Sequence, residues 1–285
     1  MLHNLFKFKL SALPNPKKHC LGVVAASGKL PIQILENAKS QGYRLIVLGV
    51  ELKDDRVEAL ADEYLAVKMT EGQKALDYLV TAGVKHLVLC GKFPKTDFAS
   101  HYKPDSLIAG TLKKTLNGKG DDGILKAISG LLRLKGIKVL PILPFLIHAA
   151  APKGVLTKTK PTQAQFTDLA FGFRMAKKIG RLDIGQTVVI KNEVVLAVEA
   201  IEGTDATIRR INEFNSEGAA VVKVSKPQQE LRFDMPVIGL STIESLIAAK
   251  CACIGIEAGK TLLVDQSDVI ELADKNQICV VGITQ

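Results

Sequence analysis

The sequence predicts an α/β fold with two domains, a Rossmann-like parallel sheet in the amino-terminal half and a mixed α/β domain in the carboxyl-terminal half. Three observations predict it. The chain has 285 residues, which corresponds to two domains at roughly 150 residues each. In the first half, short and nearly continuous apolar runs alternate with helical patterns, as in a parallel sheet covered by helices on both faces. The second half adds a hairpin pattern, which brings in antiparallel strands.

The composition excludes several classes of protein. Apolar types make up 47% of the residues and charged types 24%, which is typical of a globular chain and not of a disordered one. The longest apolar run, over 139–151, is too short for a membrane span and contains Pro141 and Pro144. The five cysteines form no CxxC pair, so we predict reduced core cysteines and no zinc site.

The first half begins with a predicted strand over 20–26, followed by a Gly-containing turn and a helix over 31–41. Pro31 suits the first position of that helix, and Gly42 suits its end. Later strands are predicted over 44–50, 64–68, 85–91 and 137–143, and helices over 51–63, 72–82 and 124–134. Residues 92–123 have an irregular pattern, in which the pair Asp121-Asp122 is interpreted as a surface turn.

The second half begins with a predicted helix over 166–181. Two strand patterns over 186–191 and 194–200 flank Asn192-Glu193, which predicts a hairpin. Further helices are predicted over 204–215, 241–250 and 267–275, and strands over 219–225, 252–257, 261–264 and 278–283. The predicted organisation is a basic arm over 1–19, a Rossmann-like domain over 20–145, a Pro-containing linker over 146–165 and a carboxyl-terminal domain over 166–285.

The first strand–turn–helix unit is a candidate anion site. Ser27, Gly28 and Lys29 form its turn, and the start of the next helix offers backbone N–H groups and a positive dipole end. The turn matches neither GxGxxG nor the Walker A loop. From the pattern alone, an ordinary βα turn explains these residues equally well.

An acidic cluster follows the second strand of the predicted hairpin. Thr204 and Asp205 suit the cap and first turn of a helix, which explains them as structural residues. Glu199 lies in an apolar strand, where a buried carboxylate needs a cation, a metal or a proton. Glu199 and Glu202 are therefore poorly explained as caps.

A polar run over 223–236 follows a predicted strand. Acidic and basic side chains that alternate in an extended chain would lie on one side, where carboxylates hold Mg²⁺ and cations hold phosphate. A solvated loop with surface ion pairs is the alternative explanation. The candidate residues of this run are Lys223, Lys226, Gln229, Glu230, Arg232 and Asp234.

Three segments resemble one known family. GVVAASGKLP over 22–31, LDIGQTVVIKNEVVLAVEAIEGTD over 182–205 and VKVSKPQQELRFDMPVIGLST over 222–242 are similar to the UDP-2,3-diacylglucosamine pyrophosphatases of the lipid A pathway, in the branch that is not a metallophosphoesterase. The closing EAGKTLLVD over 257–265 also fits, and the resemblance runs from about residue 20 to the end. Gln228 stands where Gly or Asn is common, and Glu230 stands where Asp is common.

The resemblance implies that UDP-2,3-diacylglucosamine is hydrolysed with Mg²⁺, or Mn²⁺ as the alternative, to 2,3-diacylglucosamine 1-phosphate and UMP. With this reaction in view, the candidate catalytic residues are Asp234, Glu230, Asp205, Glu202 and Glu199. The candidate metal ligands are Asp234, Glu202 and Asp205. The candidate substrate-binding residues are Ser27, Gly28, Lys29, Thr204, Lys223, Lys226, Gln229 and Arg232.

The expected partners are the lipid-linked sugar nucleotide and the inner-membrane surface, touched peripherally by a cytoplasmic protein, and the formation of a homodimer is left open. A net charge of +9 suits contact with an anionic membrane.

The residues alone leave two other classes of protein open. A Rossmann oxidoreductase or sugar-nucleotide binder would bind NAD(P), but GxGxxG is missing. A nucleic-acid binder would suit the charge, but the basic residues are dispersed along the chain, so we expect no nucleic acid.

Overall fold

The computed structural model describes residues 13–93, 121–214, 216–232 and 234–284, without the side chains of 121–126. Within these ranges the chain divides into two compact units. The amino-terminal unit comprises the described residues up to 147 together with those of the segment 230–234. The carboxyl-terminal unit comprises residues 148–229 and those from 235 onward.

The amino-terminal unit is built on a five-stranded sheet in the order β3-β2-β1-β4-β5, in which every pairing is parallel. The Rossmann-like prediction is confirmed. The strands are β1 (Leu21–Ala25), β2 (Leu45–Val50), β3 (Glu63–Val67), β4 (His86–Cys90) and β5 (Lys138–Val139). The helices that the structure describes in this unit are α1 (Leu30–Ser40), α2 (Asp55–Leu60), α3 (Gly72–Thr81) and α4 (Asp121–Leu134).

Local sequence explains these elements. Every residue of β2 is buried, as expected for a central strand of a parallel sheet with helices on both faces. Pro31 lies in the first turn of α1, as predicted. Helix α2 is shorter than the predicted 51–63, because the Asp54 carboxylate accepts a hydrogen bond from the backbone N–H of Arg56 and caps the helix there.

The carboxyl-terminal unit contains a mixed sheet in the order β6-β13-β11-β9-β7-β8. Strands β9, β11 and β13 are parallel, β7 is antiparallel to β9, and β8 is antiparallel to β7. The strands of this unit are β6 (Gly154–Val155), β7 (Thr187–Lys191), β8 (Val194–Val198), β9 (Ala220–Lys223), β10 (Val237–Ile238), β11 (Cys253–Glu257), β12 (Leu262–Leu263) and β13 (Cys279–Ile283). The helices are α5 (Gln163–Arg181), α6 (Thr204–Arg210), α7 (Leu240–Ala248) and α8 (Gln266–Lys275).

The predicted linker has regular structure of its own. Within 146–165, a 3-10 turn covers Ile147–Ala149, β6 pairs with β13 in antiparallel register, and α5 begins at Gln163. Another 3-10 turn, at Leu143–Phe145, lies just before this range. The predicted arm over 1–19 lies mostly outside the described residues, as does most of the irregular segment over 92–123. Among the helices that the structure describes, none has the length and apolar character needed to cross a bilayer.

The predicted hairpin is confirmed, and a buried aspartate holds its turn. Asn192 and Glu193 have φ angles of 52° and 59°, which gives a type I′ turn between β7 and β8. Asp168 on α5 is 6% exposed and accepts hydrogen bonds from the N–H of Asn192 (3.1 Å) and of Glu193 (2.7 Å). The carboxylate thus joins the long helix to the hairpin.

Replacing this carboxylate should destabilise the carboxyl-terminal unit. We expect Asp168→Ala to cost about 1–3 kcal/mol, because two amides lose their acceptor in a buried place. Asp168→Asn retains one acceptor oxygen and should cost less. Urea unfolding followed by circular dichroism measures both changes. Equal stability of the alanine variant and the wild type would contradict this role.

Candidate functional site

The order of the amino-terminal sheet reverses between β1 and β4, because β2 and β3 extend it on one side and β5 on the other. In open α/β sheets, ligands bind at such a reversal, outside the carboxyl ends of the strands. The predicted turn over 27–29 follows β1 and therefore lies at this reversal point. The Ser27 hydroxyl donates to the carbonyl of Lys92 (2.9 Å), and the Lys92 N–H donates to the carbonyl of Ser27 (2.7 Å). The loops after β1 and β4 are therefore joined at the reversal point.

Backbone conformation makes this turn compact. Gly28 has a φ of +112° and Gly91 a φ of +94°, a region that side chains rarely adopt. A Cβ at Gly91 would lie 2.6 Å from the carbonyl oxygen of Ala26. Lys29, the residue that caps α1, makes no side-chain capping bond, so the start of α1 keeps backbone N–H groups for an anion.

Sequence reasoning missed Lys92. The signal was present, because a Gly-Lys pair follows β1 as Gly28-Lys29 and follows β4 as Gly91-Lys92. The two Gly-Lys pairs are neighbours because β1 and β4 are adjacent in the sheet. Neither pair by itself reveals which strands are adjacent.

The segment 230–234 lies at the same edge of this sheet. Ile142 follows the carboxyl end of β5, and its N–H donates to the carbonyl of Arg232 (2.9 Å). The Arg232 guanidinium forms an ion pair with Glu230 at 2.8 Å, and this hydrogen bond raises the pKa of Arg232. Asp234 has an exposed side chain and donates its N–H to the carbonyl of Glu230 (3.2 Å). The segment is therefore a turn, and the predicted extended alternation is wrong here.

The other predicted clusters share one edge of the carboxyl-terminal sheet. Strands β8, β9 and β11 run in the same direction, since two antiparallel pairings separate β8 from β9. The carboxyl ends of these strands and the loops that follow them carry the acidic cluster over 199–205, the lysines over 223–226 and Glu257. As predicted, the acidic cluster follows the end of β8 and leads into α6. The predicted cap is wrong, because Gly203 is the N-cap residue and Thr204 is the first residue of the helix.

Glu199 is buried because it organises the loop around it. Its side chain is 7% exposed and accepts from the Thr204 hydroxyl (3.0 Å) and from the N–H of Gln186 (3.2 Å). The Thr204 hydroxyl also lies 3.3 Å from that of Thr187. These contacts join the start of β7 and the end of β8 to the start of α6.

Glu202 and Asp205 are also held by neighbouring groups. Glu202 accepts from the Thr207 hydroxyl (3.1 Å) and pairs with Arg210 at 3.0 Å. Hydrogen bonds from its own backbone amide and from Thr207, with the charge of Arg210, hold its pKa below the ordinary value. Asp205 accepts from the hydroxyls of Ser241 (2.8 Å) and Thr242 (2.9 Å), which joins the start of α6 to that of α7.

The hydrogen bonds of these carboxylates limit how a metal ion could be bound in the carboxyl-terminal unit. Across the described ranges, no three His, Cys, Asp or Glu side chains form a group that could hold a metal ion. Glu199, Glu202 and Asp205 already accept protein hydrogen bonds, so the carboxyl-terminal unit does not by itself fit a complete Mg²⁺ site. Asp234, the third predicted ligand, belongs to the amino-terminal unit. The ligand set stays a prediction.

The predicted phosphate-binding lysines differ in exposure. Lys223 is 6% exposed and donates to the carbonyl of Val237 (2.6 Å), so it joins the end of β9 to β10. Lys226 pairs with Asp183 at 2.6 Å. The Lys226 N–H donates to the side-chain carbonyl of Gln229 (2.9 Å), which closes a turn. Lys226 is the more accessible of the two for a phosphate.

A buried ion pair supports this loop, and sequence reasoning missed it. Glu257, the last residue of β11, is 5% exposed and pairs with Lys177 of α5 at 2.6 Å. The same carboxylate accepts from the N–H (2.9 Å) and the hydroxyl (2.8 Å) of Ser225. Lys260 binds its other oxygen at 2.9 Å. Because Ser225 starts the loop after β9, Glu257 fixes the position of that loop.

The protonation of this pair follows from burial and hydrogen bonding. Burial acts to raise the pKa of Glu257, but hydrogen bonds from Lys177, Lys260 and Ser225 outweigh it and hold the pKa below its ordinary value. Burial lowers the pKa of Lys177, although Glu257 acts in the opposite direction. The Glu257 carboxylate is therefore ionised near neutral pH, and the hydrogen bond that it accepts from Lys177 holds the two side chains together.

Comparisons with known proteins agree with the resemblance found in the sequence. The profile of the LpxI N-terminal domain matches residues 20–148, and that of the LpxI C-terminal domain matches 152–281. The UDP-2,3-diacylglucosamine pyrophosphatase LpxI of Caulobacter vibrioides is 31% identical over 279 residues, which cover 92% of this chain and 97% of that protein. The chain belongs to the LpxI family. The resemblance to this family is confirmed.

The family's domain boundary and the structural units differ at one place. Residues 230–234 fall within the LpxI C-terminal domain by sequence, yet they pack with the amino-terminal unit. The carboxyl edge of the amino-terminal sheet is thus assembled from both LpxI domains.

Similar solved structures include the N5-carboxyaminoimidazole ribonucleotide synthetase of Thermotoga maritima, at 14% identity and a TM-score of 0.27, covering 69% of this chain and 36% of that one. The biotin carboxylase subunit of pyruvate carboxylase is 13% identical with a TM-score of 0.28, covering 63% of this chain and 35% of that one. The LpxI-family chain spans about a third of the length of these structures. At such TM-scores the likeness supports no argument about fold or function.

Proposed function

We propose that this chain hydrolyses the diphosphate of UDP-2,3-diacylglucosamine to 2,3-diacylglucosamine 1-phosphate and UMP in lipid A biosynthesis. The relative from Caulobacter vibrioides carries that pyrophosphatase name and covers nearly the whole chain. One structural observation supports the reaction most. The segment 230–234 lies at the carboxyl edge of the Rossmann-like sheet, where the turn of Ser27 and Lys92 also lies.

The residues at that edge suit a diphosphate. The turn over 27–29 and the start of α1 present backbone N–H groups to the phosphates of the UDP moiety. Arg232 supplies positive charge to phosphate oxygens at this edge. Lys226, in the carboxyl-terminal unit, stays a predicted phosphate-binding residue. Asp234 orients the attacking water and accepts its proton. The water oxygen forms a bond to one phosphorus while the bridging P–O bond of the diphosphate breaks, and both products are phosphate monoesters.

Magnesium belongs to this proposal. When bound, Mg²⁺ would neutralise diphosphate charge as a Lewis acid. Asp234, Glu202 and Asp205 remain its predicted ligands, with Mn²⁺ as the alternative ion. Activity that survives EDTA unchanged would exclude the metal and leave the hydrolysis itself intact.

The proposed reaction predicts a direct result. We expect incubation with UDP-2,3-diacylglucosamine and Mg²⁺ to release UMP and the 1-phosphate in equal amounts, measured by chromatography. NAD(P) should not bind, since the chain lacks GxGxxG. UMP alone should protect backbone amides over 22–31 from hydrogen exchange. Protection confined to residues beyond 160 would contradict nucleotide binding by the amino-terminal unit.

The substrate also determines where the protein works. Two acyl chains hold UDP-2,3-diacylglucosamine in a membrane, so we propose a cytoplasmic protein that contacts the inner-membrane surface peripherally. The homodimer stays a prediction, as does the expectation that nucleic acid is not a partner.

A further inference from the structure

A basic cavity lies in the amino-terminal unit, apart from the site described above. Its volume is about 320 Å³. Four of its lining residues are basic, namely Lys17, Lys18, Arg44 and Lys85. The others are Pro16, His19, Cys20 and Gly83, so no carboxylate lines it.

The sheet fixes where these cations stand. Cys20 directly precedes β1, Arg44 precedes β2 and Lys85 precedes β4. In a parallel sheet these positions meet at the amino ends of the strands, which is the edge opposite to that of Ser27 and Lys92. The cavity therefore does not belong to the proposed catalytic edge.

The backbone around the cavity is held by hydrogen bonds. The Leu21 N–H donates to the carbonyl of Arg44 (2.8 Å), and the Lys138 N–H donates to that of Lys85 (2.8 Å). The N–H groups of Lys18 and His19 both donate to the carbonyl of Asn15, at 3.0 and 3.1 Å. The cations thus project from a fixed frame, and their proximity is a property of the fold.

Such a cluster is unfavourable without an anion. Charges closer than about 8–10 Å repel each other with little screening at physiological salt. Arg44 pairs with Glu63, but Lys17, Lys18 and Lys85 form no ion pair with any residue in the described ranges. All three lysines are exposed. An incoming anion would relieve their repulsion without breaking an existing pair.

A partly buried histidine, His86, packs against His19 of the cavity lining, so its NMR signals can report on an anion bound there. The rings of His19 and His86 pack edge to face with centroids 5.2 Å apart. The Nδ1 atom of His86 is buried and has no hydrogen-bond partner. Burial, together with the charges of His19 and Lys138, lowers the pKa of His86. An anion in the cavity would change the surroundings of both imidazoles.

We propose that this cavity binds the phosphate of an anionic phospholipid headgroup and thereby holds the amino-terminal unit at the membrane surface. Exposed cations around an open cavity suit a headgroup better than an enclosed metabolite, which would be buried on most sides. The composition of the sequence before Pro14 supports a lipid headgroup as the source of the bound phosphate. Residues 1–12 combine six large apolar side chains with Lys7 and Lys9, a composition typical of interfacial segments. Contact at this edge leaves the opposite, catalytic edge uncovered.

The proposal rests on the proposed function only for the reason to visit a membrane, and its test needs no substrate. The probe is sedimentation with vesicles of dioleoylphosphatidylglycerol and dioleoylphosphatidylcholine in equal parts, compared with vesicles of phosphatidylcholine alone. The test variant combines Lys17→Ala, Lys18→Ala and Lys85→Ala. The matched control combines Lys153→Ala, Lys158→Ala and Lys160→Ala, which removes the same charge from exposed positions of the other unit.

We expect the wild type to bind the anionic vesicles, and the test variant to bind them on the order of 10²-fold more weakly. The control variant should lose far less of its binding to anionic vesicles. The test variant should keep its activity on detergent-dispersed substrate. Equal losses in the two triple variants would overturn the proposal. A second readout is the imidazole NMR signals of His19 and His86. If inorganic phosphate shifts them while anionic vesicles are not bound, the cavity takes free phosphate and the membrane proposal is wrong.

Discussion

Replacing Asp234 with alanine should reduce kcat on the order of 10²-fold or more and leave the melting temperature nearly unchanged. The side chain is exposed in the turn over 230–234, and an exposed carboxylate contributes little to stability. As the group that orients water, it would act mainly in the transition state, so kcat should fall more than KM rises.

The matched control for this experiment is Asp268→Ala, which removes an exposed carboxylate from the first turn of α8. It should retain wild-type turnover. Asp234→Asn keeps the shape of the side chain and removes its negative charge, so it should resemble Asp234→Ala in kcat. Near wild-type turnover of either Asp234 variant would remove this residue from the catalytic group.

Glu257→Ala should be the most destabilising of the substitutions considered, at about 3–5 kcal/mol, because it leaves Lys177 buried without its partner. It also removes the acceptor of the Ser225 amide and hydroxyl. The double variant Lys177→Met, Glu257→Leu fills the site with apolar groups and should be much closer to the wild type. Urea unfolding at neutral pH compares the three proteins. A double variant no more stable than Glu257→Ala would argue against an unpaired charge as the cause.

The same pair predicts a dependence on pH. The pKa of Glu257 lies below its ordinary value of 4.5 in the folded protein, so its stabilising contribution is complete above that value. The contribution is lost as the pH falls through the folded pKa, where the carboxylate takes up a proton. The stability gap between the wild type and Glu257→Gln should therefore narrow in acid. A gap that stays constant down to about pH 2 would contradict the direction of this shift.

Local patterns were sufficient for most of the fold. The strands β1, β2 and β4 follow from apolar runs that are buried on both faces, and the hairpin follows from Asn192-Glu193 between two such runs. The short strands β6 and β10 were missed, because two residues carry no periodic signal. They exist through pairing with β13 and β12, which only the folded chain provides.

The residues and roles of the candidate site stay predictions, but the structure shows the surroundings of each described side chain. Glu199 was correctly singled out as a carboxylate in an apolar strand, but its partners are the Thr204 hydroxyl and a backbone amide. Glu257 and Lys177 were not singled out, because 80 positions separate them in the chain and neither stands in an unusual local pattern. Burial of charge is a tertiary property, and spacing along the chain does not reveal it.

The place of the segment 230–234 has a consequence for the order in which this protein can be made. The N–H of Ile142 binds the carbonyl of Arg232, so the amino-terminal unit is finished by residues that leave the ribosome late. Domains commonly fold in the order of their synthesis. Here the sheet can form early, but the carboxyl edge of that sheet is complete only after most of the second half of the chain has been translated. A fragment that ends at the family boundary near residue 148 therefore lacks part of its own edge, and the missing piece has to be supplied as a separate peptide.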